Sequence, residues 1–120
     1  MRILITGSRY HNNPQMIFEA INKEVEHLDD YSDVVIIQGE CPYGGADLFA
    51  KQWAKQNGAV NESYPADFKK LGGKAGPLRN QKMVDSGADI CLAFPTEDSR
   101  GTWDCVNKAK KAGIPVKIVK

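Results

Sequence analysis

Short apolar segments alternate along the chain with segments whose apolar residues recur every three or four positions. Ile17, Ile21 and Val25 form one such stripe, which is typical of a helix that packs on a sheet. Val34 to Ile37 is instead a continuous apolar run, which indicates a parallel strand covered on both faces. The full pattern predicts strands at 2–6, 34–38, 60–64, 88–94 and 115–119 and helices at 14–29, 46–56, 77–86 and 101–112.

These alternating elements predict an α/β fold: one Rossmann-like, three-layer domain over residues 1–120 with a mostly parallel five-stranded sheet. Residues 60–64 are polar enough to form an edge strand, and Trp103, Val106 and Ala109 recur at the spacing of a buried helix face. Ligands of such sheets bind beyond the carboxyl ends of the strands. The loops there are rich in glycine and small polar residues, so we expect the functional site at this edge.

Composition narrows the possible partners. The chain has 120 residues and a net charge of +1, from 16 basic and 15 acidic residues, so no broad basic field favours nucleic acid or an anionic membrane. The apolar runs are too short for a membrane helix or a secretory signal. Cys41, Cys91 and Cys105 are widely spaced, which favours a reducing compartment over disulfides or a metal site. We therefore expect a cytoplasmic protein without a bound metal.

The first candidate loop begins with Gly7, Ser8 and Arg9. Glycine after a strand permits close approach of a ligand to the backbone, and Ser8 offers a hydroxyl. The planar guanidinium of Arg9 can bind a phosphate or a carboxylate. A solvated loop cation explains Arg9 equally well, so this motif alone does not decide between the two roles.

The second candidate is the run Gly44, Gly45, Ala46 and Asp47 at the start of a predicted helix. Unpaired backbone amides in the first turn of a helix can bind an anion. Asp47 has two possible roles: it stabilises the helix terminus by about 0.3 to 1 kcal/mol, or it accepts hydrogen bonds from ribose hydroxyls.

The third and fourth candidates also lie at helix starts. Arg79 and Asn80 follow Pro77, where a cation in the first turn is unfavourable unless a bound anion compensates it. Gly101 and Thr102 offer backbone amides and a hydroxyl to a phosphate. The alternatives are an exposed polar face for the first pair and a simple helix cap for Thr102.

Taken in order, these motifs resemble the YspA/YpsA-related branch of the SLOG superfamily, which is common in phage and bacterial genomes. The resemblance implies a Rossmann-like domain that binds a nucleotide-derived ligand, for example one like ADP-ribose, that needs no other cofactor and forms a homodimer. It also places the chain at a distance from the LOG phosphoribohydrolases and from the DNA-processing protein DprA. The motifs that carry it are 7–9, 44–47, 75–80, 88–89, 93–95, 101–102 and 113–116.

The resemblance to the LOG enzymes stops at their functional glutamate. Arg79 matches their functional arginine, but Cys105 stands at the glutamate position, and a neutral thiol supplies no carboxylate charge. Glu97 and Asp98 also replace glycines before Gly101. We expect binding or sensing of a phosphate- and ribose-bearing molecule.

Two other functions remain as alternatives. The first is N-glycosidic hydrolysis of a nucleotide, for which the candidate catalytic residues are Arg79, Asp47 and Asp104. The second, DprA-like binding of single-stranded nucleic acid, is disfavoured by the net charge of +1 and by the lack of a stripe of aromatic residues for base stacking.

Overall fold

A parallel sheet of five strands forms the centre of the computed structural model, which describes residues 1–97 and 99–120. The strand order is β3-β2-β1-β4-β5, and every neighbouring pair is parallel. The predicted α/β class with a parallel five-stranded sheet is confirmed, and the polar third strand lies at an edge. The strands are β1 (Arg2–Gly7), β2 (Val35–Gln38), β3 (Val60–Ser63), β4 (Ile90–Phe94) and β5 (Val116–Ile118).

The helices cover both faces of the sheet and complete three layers. The first two helices pack on one face, and the last two pack on the other. A short helix and a 3₁₀ turn precede the fourth helix. The helices are α1 (Pro14–Val25), α2 (Ala46–Asn57), α3 (Phe68–Leu71), α4 (Ala75–Asp85) and α5 (Arg100–Lys111), and the 3₁₀ turn is Gly72–Lys74.

The two core layers differ in their side chains. The layer under α1 and α2 contains most of the large aliphatic residues together with Phe94 and Trp53. Trp53 is satisfied there, because its indole Nε1 donates to Asn22 Oδ1 at 2.8 Å. The layer under α4 and α5 is smaller and contains Met83, Cys91 and Cys105. The alternating burial of successive β1 residues on these two sides is what a central parallel strand requires.

The helix predicted at 77–86 corresponds to α4, and its predicted start was wrong by two residues. This error changes the helix position of the candidate site residues Arg79 and Asn80. The 3₁₀ turn leads directly into α4 at Ala75, so Pro77 is the third helical residue, where its missing N–H costs nothing. Arg79 and Asn80 therefore lie in the second turn. Arg79 is therefore not a first-turn cation, and its position in the helix does not require a compensating anion.

Two smaller predictions were also wrong. Helix α1 ends at Val25 rather than near Asp29. Trp103 is 39% exposed, because the buried stripe of α5 follows the helical spacing from Thr102 through Cys105 and Val106 to Ala109. Position 103 is turned about 100° from position 102 and faces away from the sheet.

Among the helices of residues 1–97 and 99–120, none is long and apolar enough to cross a membrane.

Candidate functional site

A cleft of about 420 Å³ opens at the carboxyl ends of the central strands. Its walls are the loops that follow β1, β2, β3 and β4. Strand order reverses at β1, which has β2 on one side and β4 on the other. Parallel sheets bind ligands at such a reversal, because the two flanking loops diverge there and leave a crevice. The volume lies in the range of small-molecule sites.

Most of the predicted ligand-binding residues line this cleft, although they come from the end of β1, the loop after it and the first or second turns of α2, α4 and α5. The three exceptions belong to the turn before α2: Gly44, Gly45 and Ala46 do not line it. The residues that do line it are Gly7, Ser8, Arg9, Asp47, Arg79, Asn80, Gly101 and Thr102.

The turn before α2 supports the first loop instead. The Ala46 amide donates to Ser8 O at 3.2 Å, so it is already paired. A Cβ built on Gly45, which has φ +87°, would overlap the backbone of Ser8 and Arg9. The glycines of this turn thus allow two loops to pack backbone against backbone. The Ala46 amide was expected to be free for an anion, but it is hydrogen-bonded to Ser8 O.

Arg79 is fixed at the bottom of the cleft by two hydrogen bonds. Its Nη1 donates to Gly39 O at 2.7 Å, and its Nε donates to Asn80 Oδ1 at 2.9 Å. A Cβ on Gly39 would overlap the guanidinium, so only glycine leaves room for this side chain. Asn80 in turn donates to Gly101 O at 3.2 Å and joins α4 to α5.

Asp47 is the buried acid of the cleft, with 7% of its surface exposed. Its Oδ2 accepts a hydrogen bond from the Cys41 amide at 3.3 Å. Burial raises the pKa of Asp47 to about 6, although the Arg79 charge and the amides of Cys41 and Gly39 oppose that rise. The carboxyl therefore titrates near neutral pH. We call Gly39, Asp47, Arg79 and Asn80 the floor of the cleft.

Hydroxyl groups of the buried Ser8 and Ser99 and of the half-buried Thr96 connect the loops that follow β1 and β4. Thr96 Oγ1 donates to Ser8 Oγ at 2.7 Å, and Ser8 Oγ also accepts from the Tyr10 amide at 3.0 Å. The Thr96 amide donates to Ser99 Oγ at 2.6 Å. These bonds hold the N-terminus of α5 beside β1, and the first residues of α5 line the cleft.

Sequence patterns did not identify Glu40 as a site residue. Glu40 lines the cleft and is the one non-glycine residue with positive φ, +47°, in the part of the chain that the structure describes. Its amide donates to the Gln38 side chain, and its carboxylate pairs with Lys51. The signal in the sequence was the glycine that ends the buried run of β2.

Sequence patterns also missed a set of aromatic residues around the cleft opening. Tyr10, Tyr43 and Phe68 each line the cleft and are 60%, 73% and 51% exposed. The Arg9 guanidinium lies 5.0 Å from the Tyr10 ring centroid and 5.3 Å from that of Tyr43. We call Arg9, Tyr10, Tyr43 and Phe68 the aromatic rim. No linear stripe is present because three different loops contribute the rings.

The remaining catalytic candidate from the sequence lies outside the cleft. Asp104 accepts from Asn80 Nδ2 at 3.0 Å and pairs with Lys108 at 2.6 Å. Cys105 is fully buried, and burial raises the pKa of its thiol to about 11 although a hydrogen bond with Thr6 opposes the rise. Glu97 is exposed and does not line the cleft, whereas Asp98 lies outside the described residues.

Within residues 1–97 and 99–120, no group of three or more His, Cys, Asp or Glu side chains is arranged to hold a metal ion. The polar groups that line the cleft include three guanidinium groups, two carboxyls and several hydroxyls, from Arg9, Arg79, Arg100, Asp47, Glu40, Ser8, Ser99 and Thr102. This set suits an anion joined to a hydroxyl-bearing group.

Comparison of the sequence with known proteins shows the family of the chain. The chain is 44% identical over 120 residues to the Gene 61 protein of Mycobacterium phage D29, and the match covers 96% of this chain and 93% of the phage protein. No solved structure matches the chain. The model of the YspA, cpYpsA-related SLOG family matches residues 1–71, which include β1, β2 and the first two cleft loops. The chain therefore belongs to the YspA, cpYpsA-related SLOG family.

Proposed function

We propose that the chain binds a nucleotide-derived small molecule in the cleft, with its phosphate and ribose near the floor. The observation that carries the proposal is that Arg79, Ser8 and the N-terminus of α5 line the same cleft, which opens where the strand order reverses. An arginine and a helix N-terminus both favour a phosphate group. Membership of a SLOG family supports the same class of ligand.

The floor can also recognise the sugar. Asp47 lies beside Arg79 in the same cleft, and a carboxylate accepts hydrogen bonds from neighbouring ribose hydroxyls. Because Asp47 is largely buried, its hydrogen bonds compete little with water. A ligand that carries both phosphate and ribose would therefore use the floor more fully than either group alone.

Thermal unfolding with defined ligands tests the proposal. AMP and ADP-ribose should raise the melting temperature, by an amount equivalent to about 2.7 kcal/mol when the ligand is at 100 times its Kd. Adenosine and ribose lack the phosphate and should raise it much less. No shift with either AMP or ADP-ribose, together with no heat of binding in calorimetry, would contradict the proposal.

Calorimetry should use a variant that controls for the loss of one positive charge. Lys110→Ala removes an exposed cation from the last turn of α5, at the end of that helix opposite the cleft. It should bind AMP as the unaltered protein does. Weakened binding by Lys110→Ala would show that net charge, rather than the cleft, determines the affinity.

A second candidate function, hydrolysis of an N-glycosidic bond, is favoured by one observation. The Asp47 carboxyl lines the cleft and is largely buried there, and this burial raises its pKa to about 6. A carboxyl with a raised pKa can give a proton to a leaving base. Chromatography of AMP incubated with the protein distinguishes the two functions. Release of adenine that disappears in Asp47→Asn supports hydrolysis, and intact AMP that binds supports binding alone.

A further inference from the structure

Exposed aromatic side chains are concentrated at the mouth of the cleft. Tyr10 follows β1, Tyr43 lies in the loop after β2, and Phe68 begins the short helix after β3. Each exposes at least half of its surface. Large apolar side chains that gather on the surface around a cleft indicate a contact with another molecule.

Arg9 adds a flat, charged group to these rings. Its guanidinium lies within cation–π distance of both the Tyr10 and the Tyr43 rings. The guanidinium carbon of Arg9 therefore lies over aromatic rings, whereas Arg79 on the floor is held by hydrogen bonds to Gly39 and Asn80. The two arginines of the cleft are placed for different parts of a ligand.

We propose that the aromatic rim binds the nucleobase of the ligand by stacking. This inference rests on the proposed function, because the floor must hold the phosphate and ribose of the same molecule. Bases stack on tyrosine and phenylalanine rings and on guanidinium planes, and stacking tolerates any base because each has a π face. Arg9 accordingly serves the base, not the phosphate.

The rim also predicts a preference among bases. A purine has two fused rings and covers more aromatic surface than a pyrimidine does, so it gains more from stacking. With the phosphate and sugar kept the same, AMP and GMP should bind more tightly than CMP and UMP. The ligand class is thus a purine nucleotide or a derivative that keeps the purine base.

Variants of Tyr43 test the role of the rim, since this residue is 73% exposed and its replacement should leave the fold intact. Calorimetry compares AMP with ribose 5-phosphate, which lacks the base. Tyr43→Ala should weaken AMP binding about 5- to 150-fold, in line with the loss of one base stack, and leave the binding of ribose 5-phosphate unchanged. Tyr43→Phe keeps the ring and should retain the affinity for AMP.

Trp103→Ala is a matched control, because Trp103 is an exposed aromatic residue outside the cleft. It should bind AMP normally. Unchanged AMP binding by both Tyr43→Ala and Tyr10→Ala would overturn the rim proposal and leave the proposed function standing. Equal weakening of AMP and ribose 5-phosphate would also overturn it, because the rim would then act on the floor and not on the base.

Two further outcomes decide the wider question. If the unaltered protein binds neither AMP nor ribose 5-phosphate, the proposed function and the rim proposal are both overturned. Tighter binding of a fifteen-residue oligothymidylate than of AMP would overturn the rim proposal in favour of a nucleic-acid strand. Weak binding of the oligonucleotide beside firm binding of AMP supports the rim as a site for a single base.

Discussion

Arg79 on the floor of the cleft donates hydrogen bonds to Gly39 and Asn80, whereas Arg9 in the aromatic rim is exposed and lies against the faces of two tyrosines. Floor residues are packed so closely that a Cβ on Gly39 has no room. Rim residues have space to adjust. A change in the floor should therefore affect both stability and binding, whereas a change in the rim should affect binding alone.

The largest expected difference is in the rate of alkylation of the three cysteines, of which Cys41 lines the cleft and Cys91 and Cys105 are buried. Burial raises the pKa of the Cys91 thiol to about 12 and that of the Cys105 thiol to about 11. Both thiols should therefore ionise far less than an ordinary thiol and react far more slowly. Cys41 is half-buried and lines the cleft. Iodoacetamide should therefore add once to the native protein, at Cys41, as measured by mass spectrometry.

Denaturation provides the comparison for this labelling. The unfolded chain should accept three additions, and native Cys41→Ser should accept none. If the site is as proposed, AMP should slow the reaction at Cys41. Labelling of Cys105 as fast as of Cys41 would mean that the layer beneath the floor opens readily, contrary to the structure.

Arg79→Ala should have the next largest effect. Loss of a charge-assisted contact with phosphate weakens binding by about 1.5 to 3 kcal/mol, which is about 10- to 150-fold for AMP in calorimetry. The variant should also unfold at a lower temperature, because Gly39 O loses its donor and Asp47 loses its neighbouring cation. A variant with normal stability and normal AMP binding would remove Arg79 from the floor.

Asp47→Asn should change how stability depends on pH. The folded protein holds the proton on Asp47 up to about pH 6, whereas an unperturbed carboxyl loses it near 3.8. Between these values the unfolded state binds fewer protons, so rising pH destabilises the unaltered protein, by about 1 to 3 kcal/mol in total. This loss nears completion about one pH unit above 6, where the folded carboxyl is almost fully ionised.

Denaturant titrations of both proteins at pH 4 and pH 8 measure this effect. From pH 4 to pH 8 the free energy of unfolding of Asp47→Asn should rise, relative to that of the unaltered protein, by about 1 to 3 kcal/mol. All other titrating groups are the same in the two proteins, so their effects cancel. An unchanged difference would mean that the pKa of Asp47 is not raised by burial.

Gly39→Ala should weaken AMP binding less than Arg79→Ala does. The added methyl group would push the Arg79 guanidinium aside, and such overpacking costs about 1 to 3 kcal/mol, part of which should appear as AMP binding weakened about 5- to 10-fold in calorimetry. Gly76→Ala is the matched control, because nothing lies within 4 Å of its added Cβ. It should keep AMP binding and gain helix stability. Equal AMP affinity in the two variants would show that the position of Arg79 does not matter.

Local sequence signals predicted the elements well where the pattern was long and regular. The continuous run of β2 and the stripe of Ile17, Ile21 and Val25 both lie where periodicity placed them. Prediction failed where two helical segments met without a break: α4 begins at Ala75 because the 3₁₀ turn continues into it, and a proline in the first turn gives no signal of the true start.

Some site residues could be found from local sequence patterns, and others could not. Glycine-rich loops after strands pointed to Gly7, Ser8, Asp47 and Gly101, because loop chemistry is local. The role of Gly39 depends on Arg79, which is 40 residues away in sequence. Tyr10, Tyr43 and Phe68 gave no local pattern because they become neighbours through folding.

The sequence by itself determined the α/β class, the parallel sheet, the edge at which the cleft opens and several of the polar residues that line it. These features follow from periodicity and from the chemistry of loops after strands. Only the tertiary structure decided that Asp47 is buried beside Arg79 and that Asp104 lies outside the cleft. Only the tertiary structure assembled the aromatic rim. Burial, pKa and contact between distant loops depend on three-dimensional packing, because the residues that produce them are far apart along the chain.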